Sequence, residues 1–265
     1  MPRAFSGSAT CSMDYFSGGW ACSYVGFSPR CNLRNSPNGS DIQVITRIYF
    51  WKVSKSAQLW ALLRMGLDRR TLKRNRKIGF WKLLGTGKGE TFTPRDGDPT
   101  RWGLLVTIEE DALKDFENSH LIRRWDQKSK SKFRATLRCI SVHGSWSGKK
   151  PFHHEVDPRN WHGPVAAITR ARIKWRKSFV FWRAVPPVTS SLLNSEGLKR
   201  AIGIGEAPIG LQGTFSLWSD SLAVSKFAYR GSEHKEAISA TAREKWYAEE
   251  LFGRFAVIES AGEIE

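Results

Sequence analysis

Apolar and polar residues alternate along the chain in two successive runs, the first of which begins at Asp41. Their spacing predicts six elements in the first run, in the order strand, helix, strand, strand, helix, strand, over 42–51, 56–67, 78–85, 101–108, 110–119 and 133–146. The first helix is amphipathic because its leucines recur at helical spacing, at Leu59, Leu62, Leu63 and Leu67. A βαββαβ order is typical of a ferredoxin-like unit.

The second run repeats this order with an additional helix. It predicts strands over 165–173, 199–205, 213–218 and 254–262, and helices over 178–185, 221–230 and 234–252. The tripeptide Ile-Thr-Arg opens both runs, at 45–47 and 168–170. Glycine pairs also recur at the end of the second strand, at Gly85/Gly87 and Gly203/Gly205. Duplication of one unit is the simplest explanation.

The predicted fold class is therefore α+β, with two ferredoxin-like βαββαβ repeats packed sheet to sheet as a pseudo-dimer resembling a dimeric α/β barrel. Residues 1–40 are rich in Ser, Gly, Asn and Pro and predict a flexible N-terminal extension. We expect the first repeat over 41–150, a polar linker over 151–164 and the second repeat over 165–265. A cavity between the repeats is the expected ligand site.

The stretch KLLGTGKGE (82–90) has the glycines of a phosphate-binding loop without the residues that such a loop needs. Lys88 is followed by Gly89 where a Walker loop has Ser or Thr, and the stretch leads into another strand rather than a helix. Gly203 and Gly205 are followed by EAPIG, which fits no dinucleotide fingerprint either. These glycines predict a tight turn or a close approach to the backbone.

The net charge of +17, from 42 Lys and Arg against 25 Asp and Glu, implies an anionic partner. Nucleic acid, a lipid surface and an acidic protein all qualify, although nucleic acid is unlikely because the RNP1 signature of RNA-recognition modules is missing. No apolar run approaches the ~18 residues of a spanning helix, and no signal-peptide pattern is present, so a cytoplasmic location is expected. Hydrolase motifs such as GxSxG and HExxH are also absent.

One of the six histidines, His234, has a sequence context that suits a cofactor. It starts a predicted helix after a Gly-Ser turn, with Ala237 and Ile238 on the same face and Thr241 one turn further. An imidazole on a small apolar face suits axial ligation of a heme, although helix capping or a surface position explains it equally from spacing alone. His153 and His154 lie in the polar linker, where solvated side chains are expected.

Several segments of the chain resemble the spheroidene monooxygenase family of carotenoid-modifying enzymes. They are LKRAIGIGEAPIGLQGTFSLW (198–218), FAYRGSEHKEAI (227–238), WYAEELFGRFAV (246–257), FWKLLGTGKGETFTP (80–94), GSWSGKKPF (144–152) and FWRAVPP (181–187). The resemblance implies an O2-dependent ketolase that converts a terminal methylene of an acyclic carotenoid to a ketone by successive hydroxylations. It further implies a heme iron and electrons from a ferredoxin-type donor with its reductase.

The resemblance also implies roles for particular residues. His234 would ligate the heme iron, with Phe227, Ile238, Gly203 and Gly205 against the cofactor. Candidates for the catalytic side of the cavity are Arg170, Tyr229, Trp246 and Tyr247. Because carotenoids dissolve in bilayers, the basic residues between Arg69 and Lys77 would contact the anionic inner face of the membrane.

Two other functions stay open at this point. A related oxygenase would act on a different hydrophobic metabolite, and a non-enzymatic basic ferredoxin-like module would bind nucleic acid or an acidic protein. The oligomeric state is not indicated by the sequence.

Overall fold

The computed structural model describes residues 43–89, 96–173, 192–206, 213–230 and 247–264. Its strands are β1 (Val44–Val53), β2 (Ile78–Gly87), β3 (Gly97–Glu109), β4 (Ser129–Gly144), β5 (Val165–Ile173), β6 (Leu198–Gly205), β7 (Gly213–Trp218) and β8 (Tyr247–Gly262). Its helices are α1 (Gln58–Arg74), α2 (Leu113–Glu117), α3 (His120–Lys128) and α4 (Ser221–Arg230), with single 3₁₀ turns before α1 and α2.

The eight strands hydrogen-bond into one closed barrel in the order β1-β3-β2-β6-β7-β5-β8-β4, and all neighbours are antiparallel. Each half of the chain contributes four adjacent strands in the order fourth, first, third, second, which is the ferredoxin-like arrangement. The fold is therefore α+β with an antiparallel eight-stranded barrel. The predicted domain boundaries and linker remain predictions.

The halves meet along two seams of very different length. Strands β4 and β8 pair from Phe133–Gly262 to Gly144–Leu251. On the opposite side, β2 and β6 pair only at Gly85–Gly205 and Thr86–Ile204. Two of the predicted glycines therefore face each other across the short seam and do not form a turn.

The barrel interior is filled by side chains, since alternate residues of every strand point inward. Three phenylalanines lie close together at its centre: Phe50 and Phe215 have ring centroids 5.2 Å apart, and Phe133 packs against both. Elsewhere in the same core, the rings of Phe152 and Phe255 pack edge to face with their centroids 4.9 Å apart. These contacts make the described part of the interior a packed core, and the cavity predicted between the two repeats is not found there.

The outer face of the first half is covered by its helices. Tyr49 and Trp51 stack at 5.2 Å, and Trp51 stacks in turn on Trp125 of α3. The carboxylate of Asp68 in α1 is fully buried beneath them and accepts a hydrogen bond of 2.9 Å from Trp125 Nε1. This bond fixes α1 against α3, and Arg64 and Arg124 supply the compensating charge.

The outward face of α1 differs from that of an ordinary amphipathic helix. The residues of this helix that are buried are Ala61, Asp68 and Leu72. Its four regularly spaced leucines, Leu59, Leu62, Leu63 and Leu67, are 45–68% exposed. Within the described ranges, no helix has the length and apolar character that crossing a bilayer requires.

Most predicted elements are confirmed, and β5, β7 and α4 have the predicted bounds. The predicted helix over 234–252 is wrong for residues 247–252, which lie in β8, while 234–246 fall outside the described residues. Helix α3 was not predicted. The predictions for 1–40 and 178–185 also fall outside the described residues.

The equivalent Ile and Arg side chains of the two Ile-Thr-Arg tripeptides point to opposite faces of the barrel wall. Ile45 packs under the helices, whereas Ile168 lies in the interior. Because side chains alternate along a strand, Arg47 lies on the helix side and Arg170 on the interior side. Arg47 forms an ion pair with Glu117 of α2 at 2.6 Å. The two equivalent arginines therefore lie in different environments.

Candidate functional site

A buried charged cluster lies at one end of the barrel interior, where β2, β5, β6 and β8 come together. We call it the Arg170 cluster; it consists of Lys82, Trp146, Arg170, Glu206 and Glu249. Arg170 is only 5% exposed, and its guanidinium donates to Glu206 at 2.8 Å and to Glu249. The same guanidinium lies 5.9 Å from the centre of the Trp146 ring. The sequence signal for Arg170 was confined to the family resemblance.

A tight turn after β4 builds one wall of the cluster. Trp146 and Lys149 pair across it, and both residues between them have positive φ, 55° at Ser147 and 70° at Gly148. This conformation points two successive backbone amides in one direction, as in an anion-binding nest. They donate to Glu249, Ser147 at 3.0 Å and Gly148 at 2.6 Å.

The pKa values of both carboxyl groups follow from these contacts. Burial alone would raise the pKa of Glu249, but the Gly148 amide, the Arg170 guanidinium and other donors lower it to about 2. Burial likewise opposes ionisation of Glu206, yet Lys82 above all, with Trp146 and Arg170, holds its pKa below the usual range. Both carboxylates are therefore ionised at neutral pH.

The cluster balances its own charges, since Lys82 and Arg170 face two carboxylates. The Trp146 indole also donates to Glu206 at 2.6 Å. One donor is left over: no group among the described residues accepts a hydrogen bond from the buried Nε of Arg170. A buried donor without a partner is costly, so this atom is suited to a polar group of a bound molecule.

A cavity of about 630 Å³ adjoins the cluster on the outer side of β2, beneath α1. Lys82, Ser147 and Glu206 belong to its lining and connect it to the cluster. The rest of the wall carries three further cations, Arg69, Lys73 and Lys149, beside apolar and aromatic side chains that include Leu62, Met65, Leu72, Phe80, Trp81, Leu83 and Trp102. The apolar and aromatic side chains of this wall suit the hydrocarbon part of a ligand, and its charged groups suit a polar part of the same ligand.

The structure brings only part of the predicted site together. Arg170 borders the cavity through Glu206, whereas Phe227 of α4 packs against Trp218 at 5.5 Å in a separate apolar cluster. Gly203 and Gly205 are buried in β6 on the side of the strand opposite to its inward-facing isoleucines. The side chains of Tyr229 and Tyr247 lie outside the described residues, as do His234, Ile238 and Trp246 entirely.

Four members of the cluster were missed by the sequence reasoning: Lys82, Trp146, Glu206 and Glu249. A signal existed for Glu206, because this acidic residue directly follows the buried, apolar end of β6. Trp146 lies in the quoted segment GSWSGKKPF, between the two glycines that allow its turn.

The described residues do not supply an axial ligand for a heme. Their histidines are exposed at the surface, at His120, His143, His153, His154 and His162. Cys139 is buried among the apolar side chains of the barrel core, and burial above all raises the pKa of its thiol to about 12. Within these ranges, no three His, Cys, Asp or Glu side chains converge as a metal site.

Comparison with known proteins agrees with the family resemblance. The chain is 33% identical over 227 residues to spheroidene monooxygenase of Cereibacter sphaeroides, covering 84% of this chain and 69% of that protein. It is 34% identical over 206 residues to the enzyme of the same name from Rhodobacter capsulatus, covering 77% and 85%. The chain belongs to the spheroidene monooxygenase family. Membership of the spheroidene monooxygenase family makes it a monooxygenase, and the non-enzymatic alternative is thereby excluded.

Solved structures add information on the fold of this spheroidene monooxygenase family member. An aldoxime dehydratase in complex with butyraldoxime is similar with a TM-score of 0.50 and 10% identity, over 82% of this chain and 79% of that one. At this identity the similarity concerns the fold alone. No protein-family model matches the chain.

Proposed function

We propose that this protein is a heme-dependent, O2-using monooxygenase that oxidises a terminal methylene of an acyclic carotenoid to a ketone. The observation that carries the proposal is its 32–34% identity to three curated spheroidene monooxygenases. The cavity under α1 supports it, because its apolar and aromatic side chains suit a long hydrocarbon and its charged groups suit a polar part of the same ligand.

Two hydroxylations of one carbon account for the product. Each consumes one O2, two electrons and two protons, inserts one oxygen atom and releases the other as water. The resulting gem-diol loses water to give the ketone. We propose a ferredoxin-type protein and its reductase as the electron source.

A bound heme would supply iron for O2 activation, chemistry that amino-acid side chains cannot provide. We propose that His234, which lies outside the residues that the structure describes, would hold the heme through its iron. The described residues would bind and orient the substrate. Trp81, Trp102 and Leu62 would hold the polyene, and Lys82 and Ser147 at the charged end of the cavity would contact a polar group at the reacting end.

The barrel itself would derive from a duplicated ferredoxin-like unit, so that the protein is a pseudo-dimer. Its support is the identical order of strands in the two halves. We further propose that the protein works at the inner membrane face as a peripheral protein, since its substrate dissolves in the bilayer.

An absorption spectrum and a product analysis test the proposal. The purified protein, reconstituted with hemin, should show a Soret band that shifts with dithionite and carbon monoxide. His234→Ala should lose most of the heme, whereas the exposed His153→Ala should retain it. With ¹⁸O2, ferredoxin and reductase, one labelled oxygen should appear in the alcohol intermediate.

Four results would contradict parts of the proposal. A protein that stays colourless after hemin addition would exclude the heme, and equal heme content in His234→Ala would exclude that ligand. Label-free alcohol from ¹⁸O2 would exclude oxygen insertion. Turnover of another hydrophobic compound in preference to acyclic carotenoids would assign the site to a related oxygenase.

A further inference from the structure

The outward face of α1 changes character along the helix. Its first half presents four exposed leucines, Leu59, Leu62, Leu63 and Leu67. At the helical period the same face continues with exposed cations, Arg70, Lys73 and Arg74. Single exposed leucines are common on proteins, but four adjacent ones form an apolar patch of the kind that marks an interaction site.

The cations of this face have no acidic partners in the described part of the chain. Arg64 and Lys77, at its borders, pair with Asp68 and Glu109. No such ion pair occurs there for the four exposed cations in the second half of α1, Arg69, Arg70, Lys73 and Arg74. The surface therefore combines exposed apolar side chains with uncompensated positive charge, and its partner must offer apolar contact and negative charge together.

We propose that this surface, the α1 face (Leu59, Leu62, Leu63, Leu67, Arg69, Arg70, Lys73 and Arg74), docks the protein on an anionic lipid bilayer. The leucines would enter the boundary between headgroups and acyl chains, and the cations would contact lipid phosphates. The inference deepens the proposed function, on which it rests only for the idea that the substrate is dissolved in the membrane.

Other occupants fit the α1 face less well. A second copy in a symmetric dimer would bring the same cations together, and their repulsion would oppose the contact. An acidic protein would pair with the cations but would need a matching apolar patch beside its charges. An anionic bilayer presents both over any area.

Docking would place the cavity beside the membrane. Leu62 and Lys73 belong both to the α1 face and to the wall of the cavity. Gly66 lies between them and also lines the cavity, and a Cβ added there would meet no atom within 4 Å. The surface between leucines and cavity is thus open, and a membrane-dissolved hydrocarbon would have a short path inward.

Vesicle flotation of the full-length protein tests the proposal. Wild type should float with vesicles of equimolar phosphatidylglycerol and phosphatidylcholine, and should float poorly with phosphatidylcholine alone or in high salt. Binding by Arg70→Glu/Arg74→Glu should be at least about tenfold weaker. We expect a loss of about tenfold for Leu63→Ser/Leu67→Ser. The matched controls Leu222→Ser and Lys114→Glu/Lys130→Glu change exposed residues elsewhere and should bind nearly as wild type does.

Several outcomes would overturn the proposal. Absence of flotation by wild type, or equal flotation of all variants, would exclude the α1 face. A leucine variant that dissociates a dimer while floating normally would assign the face to a second copy. Loss of ferredoxin binding with normal flotation would assign it to an acidic protein.

Measuring carotenoid turnover distinguishes a failure of the docking proposal from a failure of the proposed function. The leucine variant should convert carotenoid delivered in detergent at the wild-type rate but convert vesicle-embedded carotenoid at least about tenfold more slowly. Flotation without any turnover would contradict the proposed function and leave the docking surface supported. Equal slowing in both preparations would show that the substitution damages the enzyme rather than its docking.

Discussion

Replacing Arg170 by Met should destabilise the fold, because two largely buried carboxylates would lose a charged partner. Removing one member of a buried ion pair costs about 3–5 kcal/mol. Glu206 would keep Lys82 as a partner, and Glu249 would keep two backbone amides. We therefore expect the lower end of that range, about 3 kcal/mol in the free energy of unfolding.

Urea denaturation followed by circular dichroism measures this change and its pH dependence. In the native protein the pKa of Glu249 is about 2, below its ordinary value, so its contribution to stability is present above that ordinary value and is lost as the pH falls through the native one. Without Arg170 the pKa should be higher. The variant would then protonate first, and the difference from wild type should shrink as the pH falls from about 5 towards about 2.

Two further variants sharpen the experiment. Arg170→Lys keeps the charge but cannot donate to both carboxylates in the same fork geometry, so its loss should be intermediate. The matched control Arg172→Met removes an exposed arginine two residues away in β5 and should cost less than about 1 kcal/mol. The reasoning fails if Arg170→Met is as stable as Arg172→Met, or if its loss does not change with pH.

Three other predictions follow from local geometry. In urea denaturation, Gly144→Ala should either prevent folding or lower the free energy of unfolding several-fold more than Gly148→Ala does. Both glycines have positive φ, but of the two only Gly144 would place the new Cβ against a backbone oxygen, at 2.1 Å. Similar losses of stability in the two variants would contradict this prediction. Cys139 should not react with iodoacetamide in the native protein but should react after unfolding, because burial raises the pKa of its thiol to about 12. Peptide mass spectrometry measures the labelling, and labelling of the native protein would show that Cys139 is not buried. Gly66→Leu should have a melting temperature no lower than that of wild type, because leucine favours a helix. The larger side chain should obstruct the path to the cavity, so that turnover of vesicle-embedded carotenoid is slower while vesicle flotation is unchanged. Unchanged turnover would show that the substrate does not pass Gly66.

Where local pattern and tertiary environment agree, the sequence predicts the fold closely. The apolar strand over 165–173 and the alternating one over 213–218 have their predicted bounds, because both are strands of a barrel with a packed interior. The leucines spaced at the helical period through 56–67 predicted a helix correctly. They did not show which of its faces is buried, because leucines usually face a core and here they face outward.

The error at 247–252 has a physical cause. Tyr247 is followed by AEELF, whose Ala, Glu and Leu residues favour a helix by intrinsic propensity. In the structure this stretch pairs with β5, and Arg170 lies opposite Leu251 while Arg172 lies opposite Glu249. Cross-strand pairing of this kind depends on a distant segment and overrides local preference.

The Arg170 cluster was largely beyond sequence reasoning for the same reason. Lys82, Trp146, Glu206 and Glu249 belong to four separate segments, and only closure of the barrel makes them neighbours. Each is unremarkable in its own segment. A lone charge beside apolar residues signals a buried ion pair only when its partner is known.

The unequal seams give the barrel a weak side. Along β4 and β8 the halves are joined over the length of both strands, whereas β2 and β6 are joined by two residue pairs, one of them glycine to glycine. Thermal fluctuations should part the wall at this short junction first, with the long one acting as the hinge. Since the cavity lies against β2, such local opening would enlarge the space available to a bulky ligand without unfolding the enzyme.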